Sequence, residues 1–203
     1  AIVGTEIWSG QERDVYSLTY ATNQWVKGTQ PQNVAVVYRN GVEYGANTYM
    51  PAWLTASEAA GTYIYKADAD ANWTLSTLAI KTFKYFCRAR NSAGTEILIG
   101  GNAGGANTHR IYSSTDPTNA GSWTLLATIG NSDSEITGLI SDGTTVLVLK
   151  TNGIWAYYAD GGVENRTPEF EAQANADNFR GEYNWNGHLL LPLGTGGMVE
   201  LPG

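Results

Sequence analysis

The chain has 203 residues, of which 42% are apolar, and a chain of this length and apolar content can bury the core of one large domain or two small ones. Its formal charge of -7 predicts no nucleic-acid partner, because proteins that bind phosphates concentrate Lys and Arg on one surface. No apolar run approaches the roughly 20 residues that a membrane span needs, so we also expect no membrane partner.

One short pattern recurs along the chain. It is an aliphatic residue or Met followed by a larger residue, and the second members lie 43 to 49 residues apart. The pairs are Val15-Tyr16, Ile64-Tyr65, Ile111-Tyr112, Ile154-Trp155 and Met198-Val199. In the first three units a Trp follows (Trp25, Trp73 and Trp123), whereas the fourth offers Phe170. A fixed period of this length is typical of repeat architectures.

Two further strand-like runs separate each Trp from the next pair. Asn-Gly or Asp-Gly, which favour tight hairpins, stand between them at Asn40-Gly41, Asp142-Gly143 and Asn186-Gly187. The runs are residues 34–38, 83–89 with 96–99, 135–140 with 145–149, and 182–185 with 188–191. Each unit therefore reads as four short antiparallel strands.

Four strands in a repeat of about 43–50 residues predict an all-β protein, a β-propeller of four-stranded antiparallel blades. A β-sandwich would not repeat side chains at a long fixed period, and a β-helix needs a shorter one. We predict a single propeller domain over 1–203, and its units are a partial blade 1–30, blades 31–80, 81–130 and 131–177, and a partial blade 178–203. Because the two partial blades carry overlapping strands and the first residue is not Met, we expect a section of a larger propeller.

Two segments resemble known repeats. Ser114-Thr115-Asp116 with Gly121-Ser122-Trp123 resembles the Asp-box hairpin of sialidase-like propellers, with an insertion at 117–120, and residues 66–73 look like a degenerate copy. In that family the box is a stabilising turn and not the catalytic site, so the resemblance implies the hairpin alone. The last hundred residues, with Ser134 to Leu139 and Trp185 to Pro192, resemble propeller modules of phage structural and tail-associated proteins.

No group of residues predicts an active site, a cofactor or a metal. A sialidase needs clustered arginines, but Arg13, Arg39, Arg88, Arg90, Arg110, Arg166 and Arg180 occupy unlike positions in their units. His109 and His188 lie far apart, and we expect them at the surface or at strand edges. Asp68 and Asp70 lack the rest of a calcium loop. We read Glu164, Glu169 and Glu171 as an exposed connector.

The remaining candidates also have structural interpretations. The glycine-rich segment 100–105 lacks the Lys of a phosphate-binding loop, so we predict a flexible hairpin loop. Cys87 stands in an aromatic stretch, which favours a buried thiol. The sequons at Asn72 and Asn165 arise easily by chance in a chain rich in Asn and Thr. Trp53 lies outside the strand pattern, so we expect any recognition site in the long insertion 45–61.

The sequence favours a non-enzymatic structural propeller, in a virion or at an extracellular surface, whose partners are other protein subunits. Its richness in Gly, Asn and Thr with few Lys fits either setting. The alternative is a carbohydrate-binding propeller or a distant Asp-box glycoside hydrolase. A hydrolase would need a buried acid pair at catalytic separation. The sequence leaves open the number of blades, the oligomeric state, the host and the ligand.

Overall fold

We describe the protein from a computed structural model. The described residues are 2–3, 6–11, 14–19, 24–27, 36–38, 41–54, 61–67, 73–78, 83–167, 174–175, 177–179, 183–185, 188–194 and 196–202. Among them, the helical segments include two 3₁₀ turns, Gly105–Asn107 and Ala120–Ser122. No helix in this part of the chain is long and apolar enough to cross a membrane.

The strands form five antiparallel sheets in chain order. The first holds β1 (Ile2–Val3), β2 (Glu6–Gln11), β3 (Asp14–Thr19) and β4 (Gln24–Lys27). The second holds β5 (Val36–Tyr38), β6 (Val42–Tyr44), β7 (Asn47–Leu54), β8 (Gly61–Ala67) and β9 (Thr74–Leu78).

The third sheet holds β10 (Tyr85–Arg90), β11 (Glu96–Gly101), β12 (Arg110–Ser114) and β13 (Thr124–Thr128). The fourth holds β14 (Ile136–Ser141), β15 (Thr145–Lys150), β16 (Gly153–Tyr158) and β17 (Val163–Asn165). The fifth holds β18 (Tyr183–Trp185), β19 (His188–Leu193) and β20 (Gly197–Pro202). The first, third, fourth and fifth sheets are meanders, and the predicted four-stranded antiparallel repeat is confirmed.

Successive side chains of the central strands enter two different cores, because neighbouring residues of a strand point to opposite faces of the sheet. On β15, Val146 and Val148 pack into the core between the third and fourth sheets. Leu147 and Leu149 pack instead into the core between the fourth and fifth sheets. Because both faces of the fourth sheet are covered in this way, we infer that the sheets stack face to face in chain order.

An aromatic core joins the second and third sheets. Phe83 lies 4.6 Å from Trp123 and 5.6 Å from Tyr112, measured between ring centroids. Tyr49 of β7 belongs to the same cluster. The Tyr44 hydroxyl of β6 donates a hydrogen bond of 2.9 Å to the Glu96 carbonyl of the third sheet, so an apolar core and a polar contact both join these sheets.

The second sheet differs from the predicted pattern. Trp53 does not lie in an insertion: it belongs to β7, where it is paired with Val37 of β5. The predicted hairpin at Asn40-Gly41 is also wrong, because β5 and β6 both pair with β7 and not with each other. The eight-residue strand β7 thus pairs with two short strands along the same edge of the sheet.

The first sheet also differs from the predicted pattern. Residues 1–30, where we expected an incomplete unit, hold the four paired strands β1 to β4.

The segment 100–105 is another difference. We predicted a flexible hairpin loop, but Gly100 and Gly101 belong to β11, and Asn102 and Ala103 are fully buried. A Cβ atom added at Gly100 would lie 2.6 Å from the Phe83 ring. The glycine here permits the close approach of an aromatic ring to a strand.

We therefore expect Gly100→Ala to lower the free energy of unfolding by about 1–3 kcal/mol, the usual cost of overpacking a filled core. Urea denaturation measures this quantity. Gly197→Ala is the matched control, because an added Cβ there meets only Leu193 at 3.5 Å, and we expect a change within about 0.5 kcal/mol. Equal stability of the two variants would contradict the described packing of Phe83.

Candidate functional site

The candidate site is an open cleft of about 420 Å³ at one end of the sheets. In a four-stranded meander, the connection between the second and third strands and the connection to the next sheet leave from the same end. The cleft lies among such connections of the third and fourth sheets. Its lining residues are Thr108, Ser132, Asp133, Glu135, Thr151, Ala174 and Asn175.

Backbone hydrogen bonds join the loops that line the cleft. The Ile136 amide donates to the Thr108 carbonyl at 2.9 Å, and the Thr151 amide donates to the Glu135 carbonyl at 3.0 Å. The Asn175 amide donates to the Thr151 carbonyl at 2.9 Å. These three bonds form a continuous series, so the walls of the cleft are connected through main-chain atoms.

Side chains strengthen the wall that contains Glu135. The Asn102 side-chain amide donates to the Ile136 carbonyl at 2.7 Å and to Glu135 Oε2 at 3.1 Å. Lys84 Nζ lies 3.5 Å from the same carboxylate oxygen. Asn102 adopts a positive φ of 56°, a conformation that Asn tolerates better than most residues. Glu135 is thus held by groups from the preceding sheet.

A buried lysine lies behind the other part of the loop. Lys150 is 0% exposed, and its ammonium donates to the carbonyls of Ile129 and Asn131, both at 2.8 Å. The same ammonium lies 4.9 Å from the centre of the Trp155 ring. Burial lowers the pKa of Lys150 to about 8, and the nearby Asp133 opposes this shift.

His109 lies close to this lysine. It is only 8% exposed, and its Nδ1 atom has no hydrogen-bond partner. Burial, and next the charges of Lys150 and Arg110, hold the pKa of His109 below its usual value. The predicted surface position is therefore wrong for His109, which is buried directly before the start of β12.

The other charged candidates are dispersed among the described residues. The exposed His188 lies 2.7 Å from Glu200 across β19 and β20, which agrees with a surface position. Arg88 pairs with Glu96 at 3.4 Å, and Arg110 donates to Asn107. Arg90 donates to the Gly94 carbonyl and Arg166 lies near Glu164. Arg13, Arg39 and Arg180 lie outside the described residues.

The other predicted positions are divided between described and undescribed parts of the chain. Asp68, Asp70, Asn72, Glu169, Phe170 and Glu171 lie outside the described residues. Glu164 is exposed and accepts a hydrogen bond from Tyr158, and the sequon Asn165 is exposed at the end of β17. Cys87 is buried, as predicted. The described residues contain no cluster of three or more His, Cys, Asp or Glu that could hold a metal.

The Asp-box-like segment lies at the opposite end of the sheets, in the hairpin between β12 and β13. Ser114 Oγ accepts a hydrogen bond from the Asp116 amide at 3.0 Å, and Asp116 Oδ1 accepts one from the Thr118 hydroxyl at 2.7 Å. Trp123 stacks on Phe86 with ring centroids 5.8 Å apart. The predicted hairpin is present, while the Asp-box itself remains a resemblance.

Sequence reasoning did not find the cleft. Its groups come from loops of different repeats, and the backbone bonds that join them leave no motif. The one available signal was the polar run Asn131-Ser132-Asp133-Ser134-Glu135 between two apolar strands, since polar loops on rigid scaffolds often carry function.

Comparison with known proteins gives the fold. No protein-family model matches the sequence, and no curated protein is significantly similar to it. One similar solved structure is the extracellular domain of BT4673, a putative one-component system of B. thetaiotaomicron. It has a TM-score of 0.67 and 11% identity, over 98% of this chain and 26% of that one.

Two further solved structures are similar to this chain. YCF48, solved bound to a D1 peptide, has a TM-score of 0.57 and 13% identity over 94% of this chain and 58% of that one. PorZ, a surface component of the type-IX secretion system of Porphyromonas gingivalis, has the same TM-score and identity over 97% of this chain and 25% of that one. The chain thus spans about a quarter of the length of the BT4673 and PorZ structures.

These neighbours are propeller domains, and the chain has the fold of a partial β-propeller. Each four-stranded sheet is a blade, and the cleft opens where the loops of neighbouring blades meet. Identities of 9% to 13% establish the fold and leave the function to the site itself.

The buried lysine gives a pH-dependent prediction. Because the pKa of Lys150 is about 8 in the folded protein and about 10.5 when unperturbed, the folded state binds fewer protons between these values, and stability rises with pH there. We expect the wild type to gain about 2 kcal/mol over Lys150→Met between about pH 7 and pH 9.5. Urea denaturation of both proteins at the two pH values measures the difference, and a difference independent of pH would contradict the charged, buried state of Lys150.

Proposed function

We propose that the chain is a non-enzymatic part of a protein-binding propeller, and that the end of the blades that carries the cleft is its contact surface. The observation that carries this proposal is the composition of the cleft. Hydroxyl, amide and carboxylate groups of neighbouring blades converge on one concave surface, and such groups bind the backbone and polar side chains of a protein partner.

The setting that we propose is an extracellular or virion surface. The similar domains of BT4673 and PorZ are described as extracellular and as a surface component, and these descriptions support an extracellular location. YCF48 was solved with a bound peptide, which supports a protein partner. The virion hypothesis depends on the resemblance to phage propeller modules and on the richness in Gly, Asn and Thr.

A protein ligand fits the cleft better than a glycan. Sugar-binding sites commonly present an exposed aromatic ring, and the seven lining residues include no aromatic one. The tryptophans whose burial the structure describes serve packing: Trp73 and Trp155 are buried and Trp123 stacks on Phe86. The glycan-binding alternative therefore has no observation in its favour within the described part of the chain.

The same residues argue against hydrolysis at this site. A glycosidase acid has to retain a proton, which enzymes achieve in an apolar pocket. Glu135 instead faces Lys84 and the Asn102 amide, and Asp133 is exposed. We therefore propose that these carboxylates orient the loops and bind partner groups.

Photocrosslinking tests the contact surface. We expect p-benzoylphenylalanine at Thr151, inside the cleft, to cross-link one protein in the source organism, identified by mass spectrometry. The matched control is Val163, which is 42% exposed on the outer strand β17, and we expect no cross-link there.

Two substitutions test the specificity of that cross-link. Asp133→Ala removes a lining carboxylate, and we expect the cross-link yield to fall about tenfold, which corresponds to about 1.4 kcal/mol. Asp160→Ala, in the turn between β16 and β17 at the opposite end, should leave the yield unchanged. Cross-links from Val163 alone, or equal yields for the two variants, would contradict the proposed surface.

A further inference from the structure

We propose that Lys150 is the positioning residue of the cleft, because its buried ammonium fixes the loop 129–135 that supplies three of the lining residues. That this role affects binding of a protein partner rests on the proposed function. The role itself concerns the conformation of one loop, so it can be tested without a partner.

The strand register explains why the lysine enters this space. Val146, Val148 and Lys150 alternate along β15, so their side chains point to the same face, toward the third sheet. The two valines fill the apolar core there. Lys150 stands at the end of the strand, where this core ends and the cleft begins, and its ammonium reaches the backbone of the loop that enters β14.

The contacts of the ammonium are concentrated on that loop. Its two carbonyl acceptors, Ile129 and Asn131, lie on either side of Gly130. Gly130 has a φ of 57°, and an added Cβ would lie 3.3 Å from Lys150 Nζ and 3.2 Å from the Trp155 ring. The loop therefore turns tightly over the charge. Within the described residues, no carboxylate lies within ion-pair distance of Lys150.

This arrangement is unusual for a residue that only fills space. Burying an unpaired charge costs free energy, and an apolar side chain of similar length would fill the same volume at no such cost. What an apolar side chain cannot do is donate to two carbonyls. Hydrogen bonds from a charged donor are about twice as strong as those between neutral groups, so the ammonium is suited to holding a loop that has no strand partner.

Lys150 also connects the two walls of the cleft. Its main chain continues into the lining residue Thr151, and its side chain holds the start of the loop that supplies Ser132, Asp133 and Glu135. Loss of the ammonium contacts would free the start of this loop, while the backbone bond from Thr151 to Glu135 would still join its end to the first wall. The charged groups that face the ammonium are Asp133 of the loop, His109 and, beyond it, Arg110.

Hydrogen–deuterium exchange tests the role directly in the full chain. For Lys150→Met we expect exchange in peptides covering 129–136 to become about tenfold faster, which corresponds to about 1.4 kcal/mol of lost local protection. Peptides from β10 to β12 should keep their wild-type rates. Lys150→Arg, which retains a charged donor, should restore at least part of the protection.

Three results would overturn the proposal: unchanged exchange in 129–136, an equal rise in all peptides, or no rescue by Lys150→Arg. If Lys150→Met does not fold, exchange in the wild type alone tests the proposal. Opening of the loop breaks the ammonium contacts and returns Lys150 from a pKa of about 8 to its higher ordinary value, so the open state takes up a proton. After correction for intrinsic rates, we therefore expect the protection of 129–136 to rise severalfold between about pH 6.5 and pH 9. Protection that stays constant or falls over this range would overturn the proposal.

The proposed function can fail separately. If Lys150→Met releases the loop but leaves the Thr151 cross-link at its wild-type yield, the lysine holds the loop and the cleft is not the contact surface. If exchange in 129–136 does not respond to Lys150→Met, the positioning role is wrong whatever the cross-links give.

Discussion

The structure depends on covering both faces of every central sheet. A strand with two covered faces must be apolar at nearly every position, and β16 is buried from Gly153 to Tyr157. Because alternate residues enter opposite cores, the sheets stack face to face in chain order. This stacking places the connections between strands at the two ends of the sheets. Polar groups of these connections are not needed in the core, so they can form a site. The aromatic contacts of Phe83 and the alternating valines and leucines of β15 both serve to cover the faces of neighbouring sheets.

The cleft follows from this arrangement and from one added charge. Loops that leave neighbouring blades at the same end come close enough for backbone hydrogen bonds, and those bonds join the residues that line the cleft. The start of the loop 129–135 is fixed in addition by Lys150, whose buried ammonium donates hydrogen bonds to the carbonyls of Ile129 and Asn131. The fold thus determines where a site can form, and two buried polar side chains, Lys150 and Asn102, hold the loop that lines it.

The repeat was readable from the sequence because packing residues recur at equivalent strand positions. The pairs Ile111-Tyr112 and Ile154-Trp155 lie in β12 and β16, and Trp123 directly precedes β13. The strand containing Trp53 was missed because β7 is long and pairs with two short strands, which disturbs the period. His109 and the segment 100–105 were misjudged because their burial depends on the neighbouring blade. The cleft could not be predicted, since its residues come from several repeats and meet only through tertiary packing.

The most direct test of the account is a cryo-electron microscopy reconstruction of the protein in its native assembly. We predict blades stacked in chain order and a partner polypeptide in contact with Asp133, Thr151 and Asn175 at the cleft end. A reconstruction in which this end faces solvent while the outer strands β13 and β17 make the contacts would contradict the proposed function and leave the fold intact. Blades that do not stack in chain order would contradict the fold as well.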